Sequence, residues 1–219
     1  ETIRCWVPFP RDYRQQSGGK NLKTIPEKHY VSGSDVPQRT VYMEKIAKEG
    51  EPTVFEAAYE YSTGAYVPKV DPEKVKELDA SHPVMKEYTK SQAPHLVLTP
   101  EVNDLAKEIV GEEKNPYKKA QKIFHWMDEN IRYCSEMEYS VIPSVVKKIA
   151  HERKGDCGVQ VLLFMALCRA ADVPARWQSG WVTRPNYWNL HDWAEFYVEP
   201  YGWLPADPSL GLRNVEDQN

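Results

Sequence analysis

The sequence predicts an α+β fold: a central buried helix packed on an antiparallel sheet, preceded by a small β-rich domain. Three observations carry this. The first third of the chain holds runs of β-branched and aromatic residues. The stretch from Thr99 carries helix starts and an amphipathic pattern. Past Cys157 comes a helix that is apolar all round, and three strand-like runs follow it.

The β-rich part covers residues 1–67, with strands expected at Thr2–Val7, Arg39–Ile46 and Val54–Tyr61. In the last run Phe55, Ala57, Tyr59 and Tyr61 alternate with polar neighbours, which suits a half-buried strand. Gly50-Glu51-Pro52 reads as a hairpin turn between the second and third runs, and Arg11–Gly19 reads as a loop. The chain starts at Glu1 and enters a strand at once. It is therefore expected to be a processed or cut product whose first domain has lost earlier strands.

Residues 68–98 change character. Pro68, Pro72, Pro83 and Pro94 interrupt any long helix, so this stretch reads as a connector with one short helix near Glu73–Leu78. Residues 99–219 form the second domain. Thr99-Pro100-Glu101 and Asn115-Pro116 are helix starts, and Ala120, Ile123, Phe124, Met127 and Ile131 share one helical face. A shorter helix is expected at Ser144–Ala150, and the buried helix at Val159–Ala171. Strands are expected at Ala175–Val182, Leu190–Glu199 and Trp203–Ala206.

Composition narrows the function classes. The chain has 219 residues, 41% hydrophobic and 27% charged, with a formal net charge of -4. That excludes intrinsic disorder as the main state and argues against a generic electrostatic grip on nucleic acid. No apolar run is long enough for a membrane span. The 4 Cys form no CxxC and no Cys/His cluster, so neither a metal site nor a disulfide framework is expected. No cofactor motif is visible.

Cys157 stands at the first turn of the buried helix, where unpaired backbone N–H groups favour a thiolate. Gly155 and Gly158 flank it and leave the backbone open to a substrate. Cys168, in mid-helix, reads as core. A thiolate nucleophile needs a base, and the base needs an orienting group. Of the 6 His, His191 opens a strand and shares its face with Trp193, Glu195 and Tyr197. Asp207 closes the next strand. A four-residue turn at Glu199–Gly202 would pair Val198 with Trp203 and put Asp207 opposite Ala194. Reaching His191 would then need a bulge at Pro205. Asp192 is a rival orienter, expected to face away from the ring because successive strand residues alternate.

Four segments resemble the core of the transglutaminase-like superfamily, which includes papain-like cysteine hydrolases and acyl transferases. They are Lys154-Gly155-Asp156-Cys157-Gly158, Val173-Pro174-Ala175-Arg176, His191-Asp192-Trp193-Ala194-Glu195, and Gly202 through Pro208. The resemblance runs from about Tyr117 to Leu210. It implies a papain-like fold with nucleophile Cys157, base His191 and orienter Asp207. It also implies Tyr133 as an aromatic donor to the oxyanion. Trp181, Trp188 and Trp193 are candidates for lining a substrate cleft. The expected partner is a peptide or protein substrate, with hydrolysis favoured over cross-linking and a periplasmic or secreted location. The alternative is a non-catalytic binding protein whose first domain takes carbohydrate on Trp6, Tyr42, Tyr59 and Tyr61.

Overall fold

The computed structural model describes residues 1–184 and 186–211. The chain divides into two compact units, Glu1–Pro68 and Lys69–Asn219.

The first unit contains β1 (Thr2–Pro8), β2 (Gln16–Ile25), β3 (His29–Val31), β4 (Thr40–Ile46) and β5 (Glu56–Thr63). β4 lies between β1 and β3 in one antiparallel sheet, and β2 pairs with β5 in another. Phe9, Val41 and Met43 form its core, with Leu22, Val31, Phe55 and Tyr59 packed around them. Two expectations are corrected. β4 has a neighbour on both sides, so it forms no hairpin with β5. Part of the stretch read as a loop is the start of β2. Gly18 and Gly19, exposed polar residues and two register shifts along β2 erase its alternation. The four aromatics of the carbohydrate reading lie on different faces. Trp6 packs at a tilt against Tyr42 across β1 and β4, whereas Tyr59 packs edge-on against the core residue Phe9.

In the second unit, α1 (Pro83–Tyr88), α2 (Pro100–Val110) and α3 (Pro116–Asn130) come first. Each begins on a proline, because the missing N–H falls where the helix has no use for it. Thr99 and Asn115 cap α2 and α3 as their residue types dictate. The short helix expected near Glu73–Leu78 is only a 3₁₀ turn at Pro72–Lys74, and the helix of this region starts on Pro83. Residues 69–98 are not a free connector. Leu96 is buried in the main core, and Val70, Val75 and Leu98 pack on it.

Then come β6 (Arg132–Tyr133), a 3₁₀ turn at Tyr139–Val141, α4 (Val145–Glu152), β7 (Lys154–Gly155) and α5 (Cys157–Ala170). Every residue of α5 from Gly158 to Arg169 is buried. Arg169 is held there by bonds from its guanidinium to the carbonyls of Ala175 and Lys90 and to the Gln92 side chain. Burying that charge requires these partners. It ties the 90s segment to the central helix.

β8 (Ala175–Arg184), β9 (Tyr187–Val198) and β10 (Gly202–Ala206) form an antiparallel sheet with β9 in the middle. Ala194, Phe196 and Val198 belong to the core that contains α5. The alternate residues make the other face. There Glu195 is bound by Arg176 at 2.6 Å and by Gln178 at 3.1 Å, and Tyr88 of α1 packs edge-on against Trp203. The sheet therefore buries one face on α5 and covers part of the other with α1, the α+β arrangement expected.

Candidate active site

Cys157 is the first residue of α5, and the chain enters it through a pinned loop. β6 and β7 pair in parallel, Tyr133 opposite Gly155, and Cys134 N–H donates to the Gly155 carbonyl at 3.1 Å. The buried Gln160 side chain donates to the same carbonyl at 2.9 Å. A side chain on Gly155 would meet Val159 at 2.6 Å, so only glycine allows this approach to the helix. Asp156 is the N-cap, accepting the Val159 N–H at 3.1 Å. The Tyr139 hydroxyl donates to the same Asp156 oxygen at 2.5 Å.

The Cys157 thiol donates to Asp192 Oδ2 at 3.8 Å. Among the described residues its hydrogen-bond partner is this carboxylate and not His191. Burial pushes the thiol pKa up. The backbone N–H groups of Asp192 and Gly158 oppose that rise, while the Asp192 and Asp156 carboxylates add to it. The net rise favours the thiol over the thiolate, against the pull of the helix N-terminus. Burial likewise raises the Asp192 carboxyl; the charge of His191 acts against this, and that of Asp156 with it.

His191 Nε2 is 2.5 Å from Asp207 Oδ2. The other oxygen of Asp207 accepts from the Ser209 N–H at 3.1 Å, the Ser209 hydroxyl at 2.8 Å and the Leu210 N–H at 3.3 Å. The carboxylate is therefore fixed before it meets the ring. With Nε2–H donated to Asp207, Nδ1 is the nitrogen left to take or give a proton. The ring stacks on Trp193, centroids 6.5 Å apart.

Register explains how Asp207 reaches the ring. Val198 pairs with Gly202, one residue earlier than a four-residue turn would give, and the ladder runs to Ala194 opposite Ala206. One step further, Asp207 falls beside Trp193, and Trp193 shares its strand face with His191. Pro205 pairs in register with Glu195, so the expected bulge is absent. A one-residue slip moves every side chain to the other face, which is why the sequence reading needed a distortion that the fold does without.

Alternation also separates His191 from Asp192. Asp192 shares the α5-facing side with Ala194 and Phe196, and its carboxylate comes to the head of α5. It does not hold the imidazole, as expected, but it contacts the sulfur, which the sequence reading missed.

Tyr133 is 62% exposed beside the Cys157 loop. Burial, followed by the charges of Cys157 and Asp156, raises its phenol pKa. Tyr139 is raised further by burial and by its bond to Asp156. Nothing in the pattern of residues 134–144 marks Tyr139, because the segment lacks helical or strand periodicity. Trp188 is 92% and Trp181 50% exposed at the far end of the β8–β9 hairpin. Their cross-strand partners are Thr183 and Leu190, which puts both tryptophans on the α5-facing side, beyond the helix. Trp193 is instead a wall behind His191.

Gly158 keeps this assembly open. A Cβ there would stand 2.3 Å from the Tyr139 hydroxyl and 3.0 Å from Asp192 Oδ2. Gly158→Ala should break the Tyr139–Asp156 bond and cost about 1–3 kcal/mol, readable by chemical denaturation. Unchanged stability would mean that Tyr139 swings aside freely.

Residues 103–208 match the transglutaminase-like superfamily. An uncharacterised protein of Haemophilus influenzae is 31% identical over 169 residues, 62% of this chain and 44% of that protein. The protein YebA of Bacillus subtilis, also uncharacterised, is 26% identical over 133 residues, 52% of this chain and 18% of its own length. The chain thus aligns with less than half of either relative. A solved structure of a candidate cysteine protease from Cytophaga hutchinsonii superposes with a TM-score of 0.70 at 21% identity, covering 97% of this chain and 73% of that one. At that identity the likeness establishes the fold. The family match at residues 103–208 and the superposition on that solved structure agree on one fold, the papain-like α+β arrangement. No helix among the described residues is long and apolar enough to cross a membrane.

Proposed function

We propose that the protein is a cysteine-dependent amide-bond enzyme in which Cys157 is the nucleophile, His191 the acid and base, and Asp207 its orienter. The observation that carries this reading is the His191–Asp207 hydrogen bond, at 2.5 Å, in the unit whose central helix is headed by Cys157. In the reaction His191 Nδ1 takes the thiol proton as the sulfur leaves Asp192 and attacks a peptide or carboxamide carbonyl. The C–S bond forms and the carbonyl π pair moves to oxygen. The Cys157 backbone N–H and the Tyr133 hydroxyl are the donors available to that oxyanion. As the tetrahedral intermediate collapses, the C–N bond breaks and the imidazolium gives its proton to the departing amine. Water, deprotonated by His191, then attacks the thioester and releases the acid and the thiol. An amine in place of water gives transamidation. Hydrolysis is the preferred outcome, because the Cys157 sulfur and the His191 ring are only partly buried, which leaves water within their reach.

The test is amine release from a mixed peptide and carboxamide panel, with water alone or with an added primary amine. The reading expects release that needs Cys157, with acid as the main product. Release that survives loss of Cys157 would refute it. No observation favours the binding-protein reading, because its aromatic residues do not form one platform.

Alkylation reads the resting site. Cys168 is fully buried and its thiol is raised by burial, so iodoacetamide should not label it in the folded protein. Labelling of Cys157 should climb with pH beyond the ordinary thiol pKa of about 8.5. A rate that levels off below pH 7 would show a resting thiolate–imidazolium pair instead.

A further inference from the structure

We infer that Asp192 sets a charge preference at Cys157, selecting acyl donors that carry an ammonium or guanidinium group beside the bond to be broken. The inference rests on the reading of Cys157 as nucleophile and deepens it.

The Asp192 carboxylate touches the reacting atom, with Oδ2 3.8 Å from the sulfur. It reaches that point because Gly158 has no side chain, as a Cβ there would lie 3.0 Å from the same oxygen. It has no cationic partner among the described residues, since no lysine or arginine forms an ion pair or hydrogen bond with it. Its surroundings can be named element by element. Across β8 stands Ser179, and along its own face stand Leu190 and Ala194, all uncharged. From α5 come Cys157 and Gly158, and from the 3₁₀ turn comes Tyr139. The charged groups that act on it are His191, Asp156 and Asp207, two of them anions. Among the described residues His191 is therefore the cation that can answer this carboxylate, and only when protonated.

Such a carboxylate works against the thiolate that the reaction requires. Two changes relieve it: protonation of His191, or arrival of a positive group on the substrate. The second couples binding to activation. A lysine or arginine side chain, or a free α-ammonium, would answer the Asp192 charge, draw the carboxylate from the thiol and let the proton pass to His191. An anionic substrate would meet two carboxylates at the sulfur. The exposed rings of Tyr133 and Trp181 add faces on which a cation can rest.

Charged methanethiosulfonates test this with the full chain. Each reagent forms a disulfide with the cysteine sulfur and expels methanesulfinate, so the chemistry is constant and only the transferred group's charge varies. The trimethylammonium-ethyl and sulfonatoethyl reagents would be compared at Cys157 by mass spectrometry, with Cys5 in the same sample as reference. At low salt the cation-to-anion rate ratio at Cys157 should exceed that at Cys5 by about tenfold or more, and should collapse in roughly 0.5 M salt. The salt titration uses the unmodified protein and does not depend on a variant's folding. In Asp192→Asn, and independently in Asp192→Ser, the ratio should fall by about fivefold or more, while neutral iodoacetamide reacts faster than in the parent. Equal ratios at the two cysteines, or a ratio unmoved by either folded variant, would overturn the inference. Those results leave the nucleophile assignment standing, because amine release that needs Cys157 is measured separately.

Discussion

Cys157→Ala should give a folded protein whose amide-bond turnover falls by at least about 10⁴, since without the sulfur no thioester can form. The fold should survive because the sulfur supports little of it. α5 is held by its buried core from Val159 to Cys168, by the Asp156 cap and by the Arg169 bonds. The first residue of a helix also accepts alanine readily. Circular dichroism and the unfolding midpoint should therefore match the parent while amine release disappears. A variant that keeps a substantial fraction of the rate would remove Cys157 from the mechanism.

Asp207→Asn should lower turnover by about 10 to 10³ with little change in stability. The geometry gives a specific reason. Asp207 Oδ1 accepts three hydrogen bonds from Ser209 and Leu210. An asparagine must keep its carbonyl oxygen there, which turns its NH₂ toward His191 Nε2. The ring then has to accept at Nε2 and carry its hydrogen on Nδ1, the nitrogen that must receive the thiol proton. The charge that supports the imidazolium is lost as well. The loss should be smaller than in serine enzymes, because a thiol gives up its proton more readily than a hydroxyl. If Asp207 serves only to cap the turn at Pro208-Ser209, asparagine will cap it equally well and turnover will not move. Steady-state kinetics with a denaturation curve on the same preparation separates the two roles.

How far the sequence reaches can be judged from particular residues. Cys157 was legible because Gly-Asp-Cys-Gly precedes a run apolar on all sides, and such a run has to be a buried helix. His191 was legible as a strand residue, although its strand starts earlier, at Tyr187, so that it lies inside β9 and does not open it; Asp207 was legible as the residue at the end of β10. Their relative placement was not, because a hairpin shortened by one residue exchanges the faces of every side chain beyond it, and the sequence does not state the turn length. Asp192 and Tyr139 escaped for a different reason. Both matter through contacts with the head of α5, between segments far apart in the chain: Tyr139 lies in no period, and the alternation that turns Asp192 toward the helix does not say which atom it meets there. β2 was missed because its register shifts break the alternation that identifies a strand. The prolines of residues 68–98 look in sequence like interruptions, yet Pro83 begins a helix and Leu96 lies in the core.

The central claim is that Cys157 carries the acyl group from an amide donor to water or an amine. Intact-mass and peptide-mass analysis of the protein, quenched in acid during turnover of a peptide or carboxamide substrate, tests this most directly. The account predicts an acyl adduct on the peptide containing Cys157. The adduct should be discharged by hydroxylamine as the matching hydroxamate and be absent from Cys157→Ala. An adduct on any other residue, or turnover without an adduct even at low pH where deacylation is slowed, would contradict it.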